Sequence, residues 1–119
     1  MREDFISFLL LLIGMRKCCR VIGDSMKPTL YEGNIVVYRP TKRRTLLPEV
    51  GSIVIVEDPL QSNFLIIKRV VLIKDSGVEL KGDNENERID SRNFGLVHSA
   101  KILGIVENVI KNPFLTQKI

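Results

Sequence analysis

Two hydrophobic patterns divide the chain. From Phe5 to Met15 the residues are apolar apart from Ser7 and Gly14, with Arg2, Glu3 and Asp4 on one side and Arg16, Lys17 and Arg20 on the other. Beyond this block, apolar residues come in short runs rich in Val and Ile, separated by Gly, Pro, Asn and Asp, which is the pattern of strands and turns. The spacing predicts strands over 20–22, 34–38, 52–56, 64–74, 78–81 and 101–110. Asp75-Ser76-Gly77 reads as a tight hairpin turn, Arg39 to Pro48 as a polar basic loop, and Gly82 to Asn93 as a polar, turn-rich stretch.

These elements predict a mainly β fold, a coiled antiparallel sheet with barrel-like character, preceded by a short N-terminal helix. The division is a helix over 1–19 and a single β domain over 20–119. Alternation places Phe64, Ile66, Val70 and Leu72 on one face of the longest strand and Leu65, Ile67, Val71 and Ile73 on the other. That pattern predicts burial on both faces, at the centre of the sheet. The apolar block is roughly 16 Å long as a helix, against a hydrocarbon thickness of about 30 Å, so it is too short to span a membrane. Acidic residues in front of it and the lack of a small-x-small site after it argue against a cleaved export signal. It reads as a helix packed on the domain or, less simply, as one lying in a membrane interface with Arg16, Lys17 and Arg20 as anchors.

Composition narrows the function without naming it. The 119 residues are 27% charged and 45% hydrophobic, as expected of a single globular domain. A net charge of +4 is mild; it suits solubility or an anionic surface, and no nucleic-acid partner is expected. Cys18 and Cys19 are neighbours and His98 is the only histidine. That excludes a structural zinc site of ordinary spacing and any disulfide framework, so no metal and no cofactor are expected. The two thiols read as small apolar side chains on a half-buried segment.

Two residues carry candidate chemistry. Lys68 shares a strand face with Ile66 and Val70, which puts an amine among aliphatic side chains. Burial disfavours the charged ammonium, and a lysine that is partly neutral can serve as a general base. A lysine whose stem packs while its head reaches solvent is the plainer alternative. Ser25 lies in Gly23-Asp24-Ser25-Met26-Lys27-Pro28-Thr29-Leu30, where a strand breaks into a turn. Gly23 lets another backbone approach closely. A serine at such a corner offers its hydroxyl and its own backbone N–H in the same direction, the layout of a nucleophile with an oxyanion donor. A Ser-His-Asp triad would have to rest on His98.

The stretches Gly23-Asp-Ser-Met-Lys-Pro-Thr-Leu30, Glu32-Gly-Asn-Ile-Val-Val37, Ile67-Lys-Arg-Val-Val71, Gly82-Asp-Asn84 and Asp90-Ser-Arg92 resemble, in order, the conserved boxes of type I signal peptidases. The resemblance implies a serine endopeptidase with a Ser/Lys dyad in a coiled β domain, Ser25 as nucleophile and Lys68 as general base. It implies that the Ser25 N–H forms part of the oxyanion hole. Gly23 stands where some members place a serine donor. It also implies that Asp90 and Arg92 join Arg69 in a salt-bridge network supporting the site. Met26 is the expected wall of a shallow apolar pocket for a small residue before the cut. Arg88 occupies a position where the family often has a serine near the lysine. The short spacing between Lys68 and Gly82 and the lack of a full membrane span resemble the small, anchorless branch of the family. That branch includes the proteases that trim an N-terminal extension from the precursor of nickel-type superoxide dismutase. The expected partner is therefore a protein precursor, cut in the cytoplasm, with peripheral membrane contact as an option. A membrane-associated leader peptidase is the alternative within the family. A non-enzymatic β module binding a membrane or acidic partner through Arg16, Lys17, Arg20, Lys42, Arg43 and Arg44 is the alternative outside it.

Overall fold

The computed structural model describes residues 6, 9, 13–41, 48–58, 64–86 and 96–111. Seven strands form: β1 Lys17–Arg20, β2 Ile35–Pro40, β3 Ile53–Glu57, β4 Leu65–Lys74, β5 Gly77–Lys81, β6 Leu96–Val97 and β7 Ile102–Ile110. A 3-10 turn, Ser99–Lys101, precedes β7. They make one sheet in the order β1-β2-β7-β3-β4-β5-β6, and all its neighbours run antiparallel. The fold is mainly β, as the alternation predicts. The sheet is open, with β1 and β6 at its edges.

The centre of the sheet belongs to β3. Its Ile-Val-Ile-Val run is β-branched throughout, which suits a pleated surface, and Val54, Ile55 and Val56 are all 0% exposed. Val54 and Val56 join Val70, Val78, Leu80, Val97 and Ile102 in one apolar cluster. Ile55 faces the opposite way, into a second cluster with Val21, Met26, Leu30, Val36 and Tyr38. Each such side chain contributes about 1.5–3 kcal/mol by leaving water. The second cluster ties the segment after β1 to the sheet, and so fixes the ground on which Ser25 stands.

The expectation that 64–74 is buried on both faces is overturned. Within β4 only Lys68 and Val70 are buried, and Val71, Leu72 and Ile73 are exposed. Among the described residues β3 pairs with Leu65–Arg69 and not beyond, so the end of β4 has β5 as its ladder partner, and a β-bulge falls in that stretch. Val70 pairs with Leu80, but Leu72 then pairs with Glu79, so Val71 is an extra residue. The bulge shifts the phase of the strand by one. Ile73, opposite Val78, returns to the face of Val70, and Leu72 lies opposite the exposed Glu79. Period-2 alternation fails at that point.

Other boundaries also differ. The first strand is Lys17–Arg20, so Val21 and Ile22 lie past its end, and it begins inside the segment expected to be helical. Of residues 1–12 only Ile6 and Leu9 are described; both are helical and exposed. No helix among the described residues is long and apolar enough to cross a membrane. Arg16, an anchor only in the alternative membrane-interface reading, donates from Nε to Glu107 at 2.7 Å, and Arg39 meets the same carboxylate at 2.9 Å. The two-residue Asp75-Ser76 turn forms as expected, with Lys74 opposite Gly77. The loop residues 42–47 lie outside the described residues.

Candidate active site

Ser25 stands on a series of turns between β1 and β2. Lys27 N–H donates to the Asp24 carbonyl at 3.1 Å, and Thr29 and Leu30 N–H both donate to the Met26 carbonyl, at 2.8 and 2.9 Å. Met26 and Leu30 pin this segment from below, since both are fully buried in the second cluster. Ser25 itself is half-buried. Gly23 is needed for its backbone, which has a φ of +84° that L side chains rarely adopt. Close approach by another backbone is not the reason, because a Cβ there would meet open space. The Gly23 N–H donates to Glu32 Oε1 at 3.1 Å. Asp24 and Lys27 pair at 3.3 Å, and Lys27 also lies over the Tyr31 ring.

Lys68 lies opposite Val54 on β3 and is only 3% exposed. The reading in which its head reaches solvent is therefore overturned: the whole side chain is held inside the protein. Burial of an amine is costly, and a sequence places one there only where packing or chemistry requires it.

Ser25 and Lys68 are 43 residues apart in sequence, yet both line one cavity of about 450 Å³. One wall is Cys19 to Met26 and the other is Phe64 to Lys68. Gly23 and Met26 belong to the first wall, so four of the residues singled out in the sequence meet here. Both walls have strand edges. Among the described residues β1 pairs only with β2. β5 pairs with Arg69 onwards, leaving Leu65–Lys68 with β3 as its ladder partner among the described residues. The rim is apolar: Ile22, Phe64 and Leu65 are exposed.

The turn that follows β5 connects the two walls. Asp83 accepts from Arg69 Nε at 2.9 Å and from Arg69 Nη2 at 2.7 Å, and from the Thr29 hydroxyl. Arg69 follows Lys68, and Thr29 lies four residues after Ser25. Arg69 Nη1 also donates to the Gly51 carbonyl at 2.7 Å. The hydrogen-bonded Arg69 guanidinium holds the Asp83 carboxyl below the usual carboxylate range. Burial pulls the other way, while the Thr29 hydroxyl and the Arg69 charge reinforce the lowering. The same hydrogen bond raises Arg69 further above its ordinary value. Asn84 reaches the nucleophile turn directly. Its N–H donates to the Ser25 carbonyl at 2.9 Å and its side-chain Nδ2 to the Asp24 carbonyl at 2.9 Å.

The sequence quoted Asp83 and Asn84 as part of a box but gave them no role, and Glu32 none either. Polar residues after a strand ordinarily read as a solvated turn, and nothing local shows which partners they meet. Arg69 was expected beside Asp90 and Arg92; Asp90, Arg92 and Arg88 lie outside the described residues, and Asp83 is the carboxylate seen on Arg69. His98 is not part of the cleft. It caps the 3-10 turn, Nδ1 accepting from Ala100 N–H at 3.0 Å, and it lines a separate cavity with Lys74, Asp75, Ser76 and Ser99, which removes the triad reading. The cysteines are free thiols, Cys18 exposed and Cys19 half-buried. Burial pushes the Cys19 thiol up, with Cys18 adding to it. Among the described residues no cluster of His, Cys, Asp and Glu could hold a metal.

A half-buried serine on a corner and a buried lysine thus line one apolar cleft in a β-sheet domain. The chain belongs to the family described as signal peptidase, peptidase S26, whose family model matches residues 5–81. It is thus a serine peptidase of the signal-peptidase type. The matched stretch contains Ser25, Lys68 and Arg69 and stops just before Gly82. No curated protein matches the chain.

Proposed function

We propose that this peptidase works through a Ser25/Lys68 dyad and removes an N-terminal leader or propeptide from a precursor protein. The observation that carries the reading is the shared cavity: a serine on a corner and a lysine that is 3% exposed, remote in sequence, face the same space. In this reaction Lys68 takes the Ser25 hydroxyl proton as Oγ attacks the scissile carbonyl. The carbonyl oxygen gains negative charge opposite the Ser25 N–H. The tetrahedral species collapses to an ester on Ser25, and Lys68 returns the proton to the leaving amine. Lys68 then takes a proton from water, which hydrolyses the ester and frees Ser25. Strand edges on both sides of the cleft suit an extended peptide, which can add main-chain hydrogen bonds to either. Met26 closes the floor beside Ser25, where a small residue fits.

The proposed substrate is the precursor of a nickel-type superoxide dismutase, cut in the cytoplasm. The support is the compact link between Lys68 and Gly82, which is no more than the rest of β4, a two-residue turn and β5. A membrane-associated leader peptidase is the second reading. It is favoured by the family match beginning at residue 5, in the apolar block, and by the exposure of Ile6, Leu9, Ile13 and Met15. Incubation with each class of precursor, with products mapped by mass, separates the two. A cut that persists in Ser25→Ala overturns the dyad.

A further inference from the structure

Asn84 is bound to both peptide units that flank Ser25. Its backbone N–H donates to the Ser25 carbonyl at 2.9 Å, which fixes the peptide after the serine. Its side-chain Nδ2 donates to the Asp24 carbonyl at 2.9 Å, which fixes the peptide before it. The side-chain amide is itself held, because Asn84 Oδ1 accepts from Asn86 N–H at 3.0 Å. That bond uses the oxygen and turns Nδ2 toward Asp24.

The peptide before Ser25 matters most. Its carbonyl belongs to Asp24 and its N–H to Ser25, and in a planar trans unit the two point in opposite directions. The Asp24 carbonyl accepts twice, from Lys27 N–H at 3.1 Å and from Asn84 Nδ2 at 2.9 Å. The Ser25 N–H is therefore aimed away from Asn84 and Lys27. Donors on a carbonyl also polarise the N–H of the same peptide, so each strengthens what the other end can donate. We infer that Asn84 is a positioning residue for the oxyanion donor. It sets the direction of the Ser25 N–H and strengthens it as a donor, without touching the substrate. Asp83, the preceding residue, serves a different strand through Arg69, so consecutive side chains of one turn hold the two walls of the cleft. The inference rests on Ser25 being the nucleophile.

The test uses the full chain and a pool of internally quenched peptides with alanine on the acyl side of the cut. It compares the unsubstituted protein, Ser25→Ala, Asn84→Ala and Asn84→Asp. Asn84→Asp keeps the shape and the backbone N–H but loses the donor to Asp24; it also guards against Asn84→Ala failing to fold. Melting curves set a temperature at which every variant compared is folded. The expected result is a fall in kcat of at least about tenfold with KM within about twofold, short of the roughly 100- to 1,000-fold that follows outright loss of an oxyanion donor. A merely structural role would leave kcat per folded molecule unchanged, or would move KM with it. If Ser25→Ala is silent and the Asn84 variants turn over like the unsubstituted chain, the positioning role is overturned and the dyad stands. If Ser25→Ala still cleaves, or if the unsubstituted chain cuts nothing in the pool, the peptidase reading falls and this inference with it.

Discussion

Arg69 grips Asp83 with two parallel N–H···O bonds, Nε to Oδ1 at 2.9 Å and Nη2 to Oδ2 at 2.7 Å. The pair joins the strand that carries Lys68 to the turn that touches Ser25. Bidentate pairs of this kind fix geometry as well as adding energy. Asp83→Asn is expected to cost about 1–3 kcal/mol, less than for a fully buried pair because both partners keep some exposure. Urea titration measures it, and an unchanged midpoint would show that the pair contributes only geometry.

The same pair sets an acid limit. The Asp83 carboxyl is lowered in the folded protein, so its contribution to stability is complete above the ordinary carboxylate range, near pH 4. That contribution is lost as pH falls through the lowered folded value. The melting temperature should therefore drop steeply on the acid side, and Asp83→Asn should flatten that drop. Parallel acid profiles for the two proteins would contradict it.

Ser25→Ala and Lys68→Met should each abolish cleavage, and the double variant should be no worse than either, because the two groups act as one unit. Lys68→Met keeps the apolar stem, and melting curves check that each variant is folded where its turnover is read. Residual turnover in one variant alone would assign the chemistry to the other residue and a different partner.

Gly77 opens β5 with a φ of +149°, and a Cβ there would lie 2.8 Å from the Val97 carbonyl oxygen. Backbone cannot step aside cheaply, so Gly77→Ala should cost about 2–4 kcal/mol and loosen β6. Gly51, at φ +98° but with open space around it, should cost only about 1–2 kcal/mol as alanine. Equal losses at the two sites would mean that the backbone conformation, and not the contact with Val97, sets the cost.

The strands were legible where β-branched residues run together, as in Ile53–Glu57, because that pattern needs only local sequence. Residues 65–70 of β4 followed the alternation, and Leu72 and Ile73 did not. A bulge at Val71 leaves no mark in hydrophobicity, since it is decided by how β5 pairs. The two residues of β6 were too few to show a period. Ser25 stood out by its corner and Lys68 by its apolar neighbours, both local signals. Asp83, Asn84 and Glu32 did not, because a carboxylate or amide in a turn looks the same whether it faces water or a partner brought up by the fold, such as the Asp24 carbonyl that Asn84 reaches across 60 residues.

The position of β7 has a bearing on when the site comes into existence. It is the last described strand along the chain, yet it lies between β2 and β3 and pairs with both. A ribosome makes Ser25 early and Lys68 soon after, but the hairpin of β1 and β2 and the meander from β3 to β6 share no ladder until β7 arrives to bridge them. Until then the serine and the lysine belong to separate pieces of sheet. The order of synthesis thus delays assembly of the cleft until β7 has been made.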